Sequence, residues 1–178
     1  GVPFLPVKSM LGTDTFRYSA AKVVECPFTG EKVCLLPALV IDVGLIHVHR
    51  ADRCGNAQID GISGFAVEMA RASKRLIVSA EQIVDSDEIR RYPDRTTIPY
   101  YLVDAVVHAP FGSHPGETAY LYERDEPHIQ AFIEASKTAE GMKQYLDTYV
   151  YGVRNHQGYL DLIGAQRLAA LERAVVGR

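Results

Sequence analysis

Apolar residues fall along the chain in short runs and at helical spacing, and the two patterns alternate through most of the sequence. Apolar runs of roughly four to eight residues between turn residues are typical of strands, whereas apolar positions three and four apart are typical of helices. The runs predict strands over residues 2–7, 22–26, 32–36, 45–49, 75–79 and 98–109. Helical spacing predicts helices over residues 64–73 and 80–91, with Glu81 on the exposed face of the second.

The pattern changes near residue 125, after which helical spacing continues. Asp125 is placed to cap a helix that has Pro127 in its first turn, and Asn155 to cap a final helix. Strands that alternate with helices predict an α/β fold, with a mostly parallel open sheet, flanking helices and a helical C-terminal tail. No internal repeat or linker divides the chain, so we expect one domain over residues 1–178. Because Gly1 opens directly on an apolar run, we expect that domain to lack its N-terminal portion.

Composition and charge exclude several classes of function. The chain is 47% hydrophobic and 23% charged, and its net charge of -3 does not suit nucleic-acid binding. No apolar run approaches the roughly 20 residues that cross a bilayer, and no signal-peptide pattern is visible. We therefore expect a cytoplasmic protein without nucleic-acid or membrane partners. Cys26, Cys34 and Cys54 are an odd, scattered set, so we expect free thiols.

The most distinctive stretch is residues 45–61, a short strand that runs into a polar turn. Loops at the carboxyl ends of strands are where open α/β sheets meet their ligands. His47 and His49 share one face of this strand, and with Asp52 and Cys54 they suggest a metal site. The usual zinc spacings are missing, however, so we expect no metal and interpret the histidines as packed or hydrogen-bonded groups.

Spacing supports nucleophilic catalysis only weakly. Cys54 with either histidine would form a dyad, and Ser113 lies next to His114, but the Gly-x-Ser-x-Gly elbow is absent. Residues 61–65 form a glycine-bearing turn into a helix, without a fingerprint for a nucleotide phosphate. Lys8 follows the first strand, where it is either a ligand for a carboxylate or phosphate or a solvated loop lysine. Spacing alone therefore indicates an α/β domain with candidate ligand loops.

Five segments, in order along the chain, resemble family I coenzyme A transferases. They are Pro-Phe-x-Pro-x-Lys-x-x-Leu-Gly at 3–12, Ala-Asp-x-x-Gly-Asn at 51–56, Glu-x-Ile-Val at 81–84, Val-Asp-Ala-Val-Val at 103–107 and Pro-x-Gly-Ser-His-Pro at 110–115. The tail over residues 122–160 is similar to A (alpha) subunits of the glutaconate CoA-transferase clade. That clade also includes CoA-thioester hydrolases of steroid ring degradation.

The resemblance implies an α/β chain that works with a B (beta) subunit in a heteromer and takes coenzyme A as its acyl-CoA substrate, without a metal. Such transferases use a glutamate that forms an acyl anhydride and then a glutamyl-CoA thioester. In the glutaconate transferases that glutamate belongs to the B subunit, and in the hydrolase branch it lies upstream of the segment that Gly1 opens. The resemblance therefore assigns no catalytic residue here and implies an upstream N-terminal segment as a further partner.

The resemblance also implies roles for particular residues. We expect four of them to face the substrate: Lys8, Ser9, Gly12 and His114. We expect three to shape a loop near the site: Asp52, Gly55 and Asn56. Asp52 and Asn56 would do so through side-chain to backbone hydrogen bonds. Lys8 stands where the clade commonly has arginine, and it keeps the charge without the bidentate fork. His114 is a candidate for contact with either the substrate or the subunit interface.

Three functions stay open at this point. The first is transfer of CoA between an acyl-CoA and a glutaconate-like, other dicarboxylic or ring-cleaved acid. The second is hydrolysis of a cyclic acyl-CoA in ring degradation. The third is a non-catalytic structural subunit that binds or stabilises a partner.

Overall fold

A computed structural model describes residues 2–176. The chain divides into two units, Gly1–Ile41 and Asp42–Arg178, and each unit contains a sheet. The strands of the first unit are β1 (Phe4–Val7), β2 (Lys22–Glu25) and β3 (Lys32–Pro37). They form an antiparallel sheet in the order β1-β3-β2, which confirms the three strands predicted here. A short helix, α1 (Asp14–Arg17), follows β1 and is capped by Thr13. The predicted single domain stays a prediction.

The second unit contains a four-stranded sheet. Its strands are β4 (Ile41–Asp52), β5 (Ala57–Gln58), β6 (Ser73–Val84) and β7 (Ala105–His108), in the order β5-β4-β6-β7. β6 and β7 are parallel, whereas β5 pairs antiparallel with β4. Lys74 donates to Asp42, and His47 bonds to Ser79 further along both strands, so contacts advance together along β4 and β6, as they do between strands of the same direction. The predicted α/β fold with a mostly parallel open sheet is confirmed.

The two faces of this sheet differ in chemistry because alternate side chains of a strand point to opposite faces. One face carries the buried apolar core, which includes Ile46, Val48, Leu76, Val78 and Ala80. Ala66 and Ala70 of helix α2 (Ala66–Ala72) pack against this core. The other face carries His47, His49, Ser79 and Glu81, and it is here that the polar chemistry of the unit lies.

Helices account for much of the chain after residue 125. They are α4 (Glu126–Ala135), α5 (Ala139–Leu146), α6 (His156–Ile163) and α7 (Ala165–Val176), with a π-helical segment at Asp147–Tyr151 and an earlier helix α3 at Ser86–Arg91. Asp125 caps α4 and Asn155 caps α6, so both predicted caps are confirmed. The predicted final helix is divided at Gly164, whose φ of 91° favours glycine. In the described part of the chain, no helix is both long and apolar enough to cross a membrane.

Two predicted elements are wrong in part. Residues 80–84 continue β6 instead of starting a helix, because Ala80 extends the buried alternation of Leu76 and Val78. Of the strand predicted over 98–109, only the last part forms β7, and Tyr100–Leu102 is a 3-10 turn. The three cysteines are free, as predicted.

Candidate functional site

A buried carboxylate, that of Glu81, is the centre of a hydrogen-bonded network on the polar face of the sheet. Its Oε1 lies 2.6 Å from Nε2 of His47 and accepts from the hydroxyls of Tyr122 at 2.5 Å and Thr118 at 3.4 Å. Its Oε2 accepts from the amide of Phe111 at 2.7 Å. Burial by itself would raise the pKa of Glu81, but the bonds from His47, Tyr122 and Phe111 lower it below its ordinary value. Glu81 is therefore an ionised carboxylate with its partners in place.

His47 connects Glu81 to a serine hydroxyl. Nδ1 of His47 lies 2.8 Å from Oγ of Ser79, the residue two positions before Glu81 on β6. Because an ionised carboxylate only accepts hydrogen bonds, Nε2 of His47 carries the proton on that side. A ring that carries its one proton on Nε2 accepts at Nδ1 from the Ser79 hydroxyl. These three side chains form one chain of hydroxyl, imidazole and carboxylate.

The loop over residues 110–122 closes over this network. A Cβ at Gly112 would lie 2.4 Å from Cε1 of His47, so the loop backbone passes the imidazole at a distance that excludes a side chain. Phe111 and Tyr120 have φ values of 55° and 67°, which are uncommon for residues with a side chain. Tyr122 donates to Glu81 and accepts from the amide of Ser113 at 3.0 Å. The loop is therefore fixed to the sheet by hydrogen bonds at both of its ends.

A cavity of about 250 Å³ lies beside this loop. Its wall includes His47, His49, Asp60, Ser113 and Thr118, among other residues. Nδ1 of His49 accepts from the amide of Asp60, while Nε2 bonds to a backbone carbonyl, so this ring is a neutral, fully partnered group. The cavity therefore combines polar groups with an imidazole, that of His47, whose side chain is 16% exposed.

The turn after β4 is held by one carboxylate. Oδ1 of Asp52 accepts from the amides of Cys54 and Asn56, and Oδ2 accepts from the Asn56 side chain and the Ser86 hydroxyl. Gly55 has a φ of 105°, a conformation that favours glycine. Burial would raise the pKa of Asp52, but these hydrogen bonds lower it. The three residues predicted to shape this loop thus lie together in it; their nearness to a substrate stays a prediction.

A second buried cluster joins the C-terminal helices. Oδ2 of Asp125 lies 3.1 Å from Nε2 of His114, and Arg167 donates to both carboxylate oxygens at 2.5 Å. His128 lies beside this group, with Nε2 2.8 Å from the hydroxyl of Tyr145. Burial would raise the pKa of Asp125, but the bonds from Arg167, His128 and His114 hold it far below its ordinary value.

The same cluster has some of the features of a metal centre. Candidate ligand atoms of His114, Asp125 and His128 lie within 4.8 Å of one another. Arg167, however, occupies both oxygens of Asp125 with a positive charge, and both imidazoles already have partners. A cation would have to displace the guanidinium from its carboxylate. The donor set therefore does not fit a metal ion.

Known proteins share both the sequence pattern and the fold. Residues 1–109 match the family model described as Coenzyme A transferase. That match covers more than half of the chain, and it decides the family. The chain belongs to the coenzyme A transferase family.

Its relatives place it among the A-type chains of this family. The chain is 36% identical over 97% of its length to the A subunit of glutaconate CoA-transferase from Acidaminococcus fermentans, of which it spans 59%. The crystal structure of glutaconate coenzyme A-transferase from that organism superposes with a TM-score of 0.93, at 35% identity, over 97% of this chain and 60% of the other. The present chain is also 30% identical, over 93% of its length, to the cholesterol ring-cleaving hydrolase IpdA subunit of Mycobacterium tuberculosis, of which it spans 61%. The chain thus spans about three fifths of these relatives, and the predicted family and fold are confirmed.

The remaining predicted site residues of this coenzyme A transferase chain lie in two places. Lys8, Ser9 and Gly12 share the loop after β1 in the first unit, where Nζ of Lys8 lies 2.5 Å from Oε2 of Glu31. This hydrogen bond raises the pKa of Lys8 and lowers that of Glu31. His114 lies in the second unit, with its side chain fully buried between Asp125 and Tyr159. Contact of these four residues with a substrate stays a prediction.

Sequence reasoning missed the network around Glu81. It placed Glu81 on the exposed face of a helix, whereas the residue is 7% exposed and lies on β6. The signal that was available is the period of two over residues 76–81, in which Leu76, Val78 and Ala80 alternate with polar or half-buried positions. That alternation pairs Ser79 with Glu81 on one face. The partnership with His47 has no local signal because the residues are far apart in sequence.

Proposed function

We propose that this chain is the A-type part of a CoA-transferase that moves CoA between an acyl-CoA thioester and a carboxylic acid. The observation that carries this proposal is its likeness to the A subunit of glutaconate CoA-transferase, at 36% identity over 97% of the chain. The TM-score of 0.93 against the solved structure of that enzyme supports the same architecture. The acid would be glutaconate-like, another dicarboxylic acid or a ring-cleaved acid.

The reaction requires a glutamate nucleophile and a B-type partner. In this proposal a glutamate on the B-type partner or on an upstream segment attacks the acyl-CoA and forms an acyl anhydride. The released CoA thiolate then attacks the glutamyl carbonyl, which yields glutamyl-CoA and the free acid. The acceptor acid reverses these steps and leaves as its own CoA thioester, so covalent catalysis divides one difficult exchange into easier ones.

This chain contributes substrate contacts in the proposal. Lys8 is exposed and pairs with Glu31 at the surface, where such pairs contribute little to stability. A substrate carboxylate can therefore replace Glu31 as the partner of the ammonium group. Ser9 lies next to it, and Gly12, with a φ of 76°, gives the loop a backbone turn that favours glycine.

The experiment that tests the proposal is an exchange assay with the full-length protein and its B-type partner. Acetyl-CoA is offered together with each of a panel of carboxylic acids, and new thioesters are separated chromatographically. We expect exchange with dicarboxylic acids and a glutamyl thioester that borohydride or hydroxylamine traps. Absence of both exchange and trapped thioester, in a complex that folds, would exclude CoA transfer.

A second function is favoured by one observation, the 30% identity to the ring-cleaving hydrolase. In that case the complex would hydrolyse a cyclic acyl-CoA, as the alternative to transfer. Ring-opened product in the absence of any acceptor acid would support hydrolysis and count against transfer. A complex whose activity is unchanged in Lys8→Ala, Ser9→Ala and His114→Ala variants would instead indicate a structural role for this chain.

A further inference from the structure

We propose that Ser79 is a nucleophile towards acyl esters and thioesters, with His47 as its general base and Glu81 as a positioning residue. This activity goes beyond CoA transfer through a glutamate. Only the choice of acyl-CoA as the natural substrate rests on the proposed function. The reactivity of the serine itself follows from the geometry of the three side chains.

The arrangement comes from two neighbouring strands of the same direction. Ser79 and Glu81 are two residues apart on β6 and therefore project from the same face of the sheet. His47 projects from the same face of β4, next to them. The imidazole lies between the two side chains, 2.8 Å from the serine oxygen and 2.6 Å from the carboxylate oxygen. Regular strands, rather than loops, set these distances.

The partners of Glu81 orient the base. Its oxygens accept from Tyr122, Phe111 and Thr118 as well as from His47, so the carboxylate is fixed on several sides. A fixed, ionised carboxylate holds the imidazole in one tautomer and stabilises the imidazolium that forms when a serine loses its proton. Nδ1 of His47 is thereby left as the acceptor that faces the hydroxyl. A serine hydroxyl needs such a base because it is a weak nucleophile on its own.

The reaction balances with water as the only co-reactant. Oγ of Ser79 attacks the thioester carbonyl and its proton moves to Nδ1 of His47. The carbon–sulfur bond then breaks, the thiolate takes that proton, and the acyl group remains as an ester on Ser79. Water next attacks the ester carbonyl while His47 accepts a proton from it, and the proton returns to Oγ as the serine leaves. The products are a carboxylic acid and free CoA.

Accessibility separates this group from the other hydroxyl–imidazole–carboxylate group in the described residues. Tyr159, His114 and Asp125 are also hydrogen-bonded in a row, but the His114 side chain has no exposed surface. In contrast, His47 lines the cavity of about 250 Å³ described above, and Ser79 is half-buried rather than buried. Neither Ser79 nor His47 is therefore sealed from solvent in the way that the His114 side chain is.

A fluorophosphonate probe tests the proposal directly, because it labels serines that are activated by a base. The full-length protein, in complex with its B-type partner, is incubated with the probe, and the labelled peptide is mapped by mass spectrometry. We expect label on Ser79, and we expect Ser79→Ala to remove it. Ser73→Ala is the matched control, because Ser73 lies on the same strand and bonds to a backbone carbonyl instead of an imidazole. Wild-type protein without label on Ser79 would overturn the proposal.

The role of His47 has its own test. His47→Gln keeps a polar side chain but cannot take the proton, so the labelling rate should fall by about 100-fold or more. A labelling rate at Ser79 that His47→Gln leaves unchanged would overturn the assignment of the base.

The natural reaction is tested with acetyl-CoA in the absence of any acceptor acid. Release of free thiol should depend on Ser79 and be unaffected by Ser73→Ala. The exchange assay described above is measured on the same samples. Exchange without thiol release or label would exclude a reactive Ser79 but would support the proposed CoA transfer. Label and thiol release without exchange would support a reactive Ser79 and exclude CoA transfer.

Discussion

The hydroxyl of Tyr122 donates to Oε1 of Glu81 at 2.5 Å and ties the loop before the C-terminal helices to strand β6. The two residues are 41 positions apart, and Tyr122 is 2% exposed. A buried carboxylate is tolerated only where hydrogen bonds replace the water that it has lost. This contact is therefore one of the conditions for an ionised Glu81.

We first predict the cost of removing this donor. Tyr122→Phe keeps the ring and leaves Glu81 with one partner fewer, so the free energy of unfolding should fall by about 1–3 kcal/mol. Chemical denaturation measures this difference. Tyr120→Phe is the control. Because Tyr120 is 71% exposed, removal of its hydroxyl should change the free energy of unfolding by no more than about 0.5 kcal/mol. Equal effects of the two changes would contradict the role of the buried bond.

The same residue should titrate abnormally. Burial and the hydrogen bond to Glu81 raise the pKa of Tyr122 to about 12, above its ordinary value of 10.0. Because the pKa of Tyr122 is higher in the folded state than in the unfolded state, its contribution to stability is fully present below pH 10. That contribution is lost as the pH rises towards about 12. Ultraviolet difference titration of the wild type against Tyr122→Phe measures this ionisation. A difference signal that titrates near pH 10 would contradict the prediction.

A third prediction concerns the charge of Asp125. Asp125→Asn keeps an effective helix cap but removes the negative charge that pairs with Arg167. The free energy of unfolding should fall by about 1–3 kcal/mol, and no more than that because solvent screens the half-exposed Arg167. Since the pKa of Asp125 is held far below its ordinary 3.8, this contribution is present above about pH 4 and shrinks as the pH falls further. Denaturation curves at several pH values measure it. Glu126→Gln, next to it in an exposed ion pair, should cost less than about 1 kcal/mol.

A fourth prediction uses the close approach of Gly112 to His47. In Gly112→Ala the new methyl group would lie 2.4 Å from Cε1 of His47, so the imidazole or the loop must move. We expect a loss of about 1–3 kcal/mol in stability and a slower reaction of Ser79 with the probe. Gly158→Ala, on helix α6 with its nearest atom at 3.6 Å, should instead stabilise the protein by about 0.5–1 kcal/mol. A neutral Gly112→Ala variant would show that the loop gives way easily.

The fifth prediction concerns Lys8. Lys8→Ala should change the free energy of unfolding by no more than about 0.5 kcal/mol, because the ion pair of Lys8 with Glu31 is exposed. It should raise the KM of the complex for a dicarboxylic acid. Lys32→Ala, an exposed lysine on β3, serves as the control. Steady-state kinetics in the exchange assay separate KM from kcat. An unchanged KM would remove Lys8 from the proposed substrate contacts.

Much of the fold could be predicted from local pattern. The caps at Asp125 and Asn155 and the backbone bonds of the Asp52 turn depend on residues within a few positions of one another, and the strands of the first unit follow visible apolar runs. Local hydrogen bonds and side-chain periodicity act over that range, so the pattern that forms the element is visible in the sequence. The family resemblance was equally visible, because its motifs are contiguous.

The errors arose where distant contacts override local propensity. Residues 80–84 have helical spacing, yet they continue β6, which lies between β4 and β7 in the sheet. Local spacing also gave no sign of the buried cluster at His114, Asp125 and His128, whose candidate ligand atoms lie within 4.8 Å of one another. Arg167, 42 residues after Asp125, determines that this cluster is an ion pair and not a ligand set.

Local spacing and contiguous motifs are thus enough to establish most of the longer strands and helices, the α/β class and the family, because each has a signal among neighbouring residues. No local signal predicts the hydrogen-bonded network of Ser79, His47, Glu81 and Tyr122. These hydrogen bonds span 32, 34 and 41 positions, and each exists only because strand order and the closing loop bring the partners within reach. Hydrogen bonds act over about 3 Å, so packing in three dimensions, and not position in the chain, decides which polar groups meet.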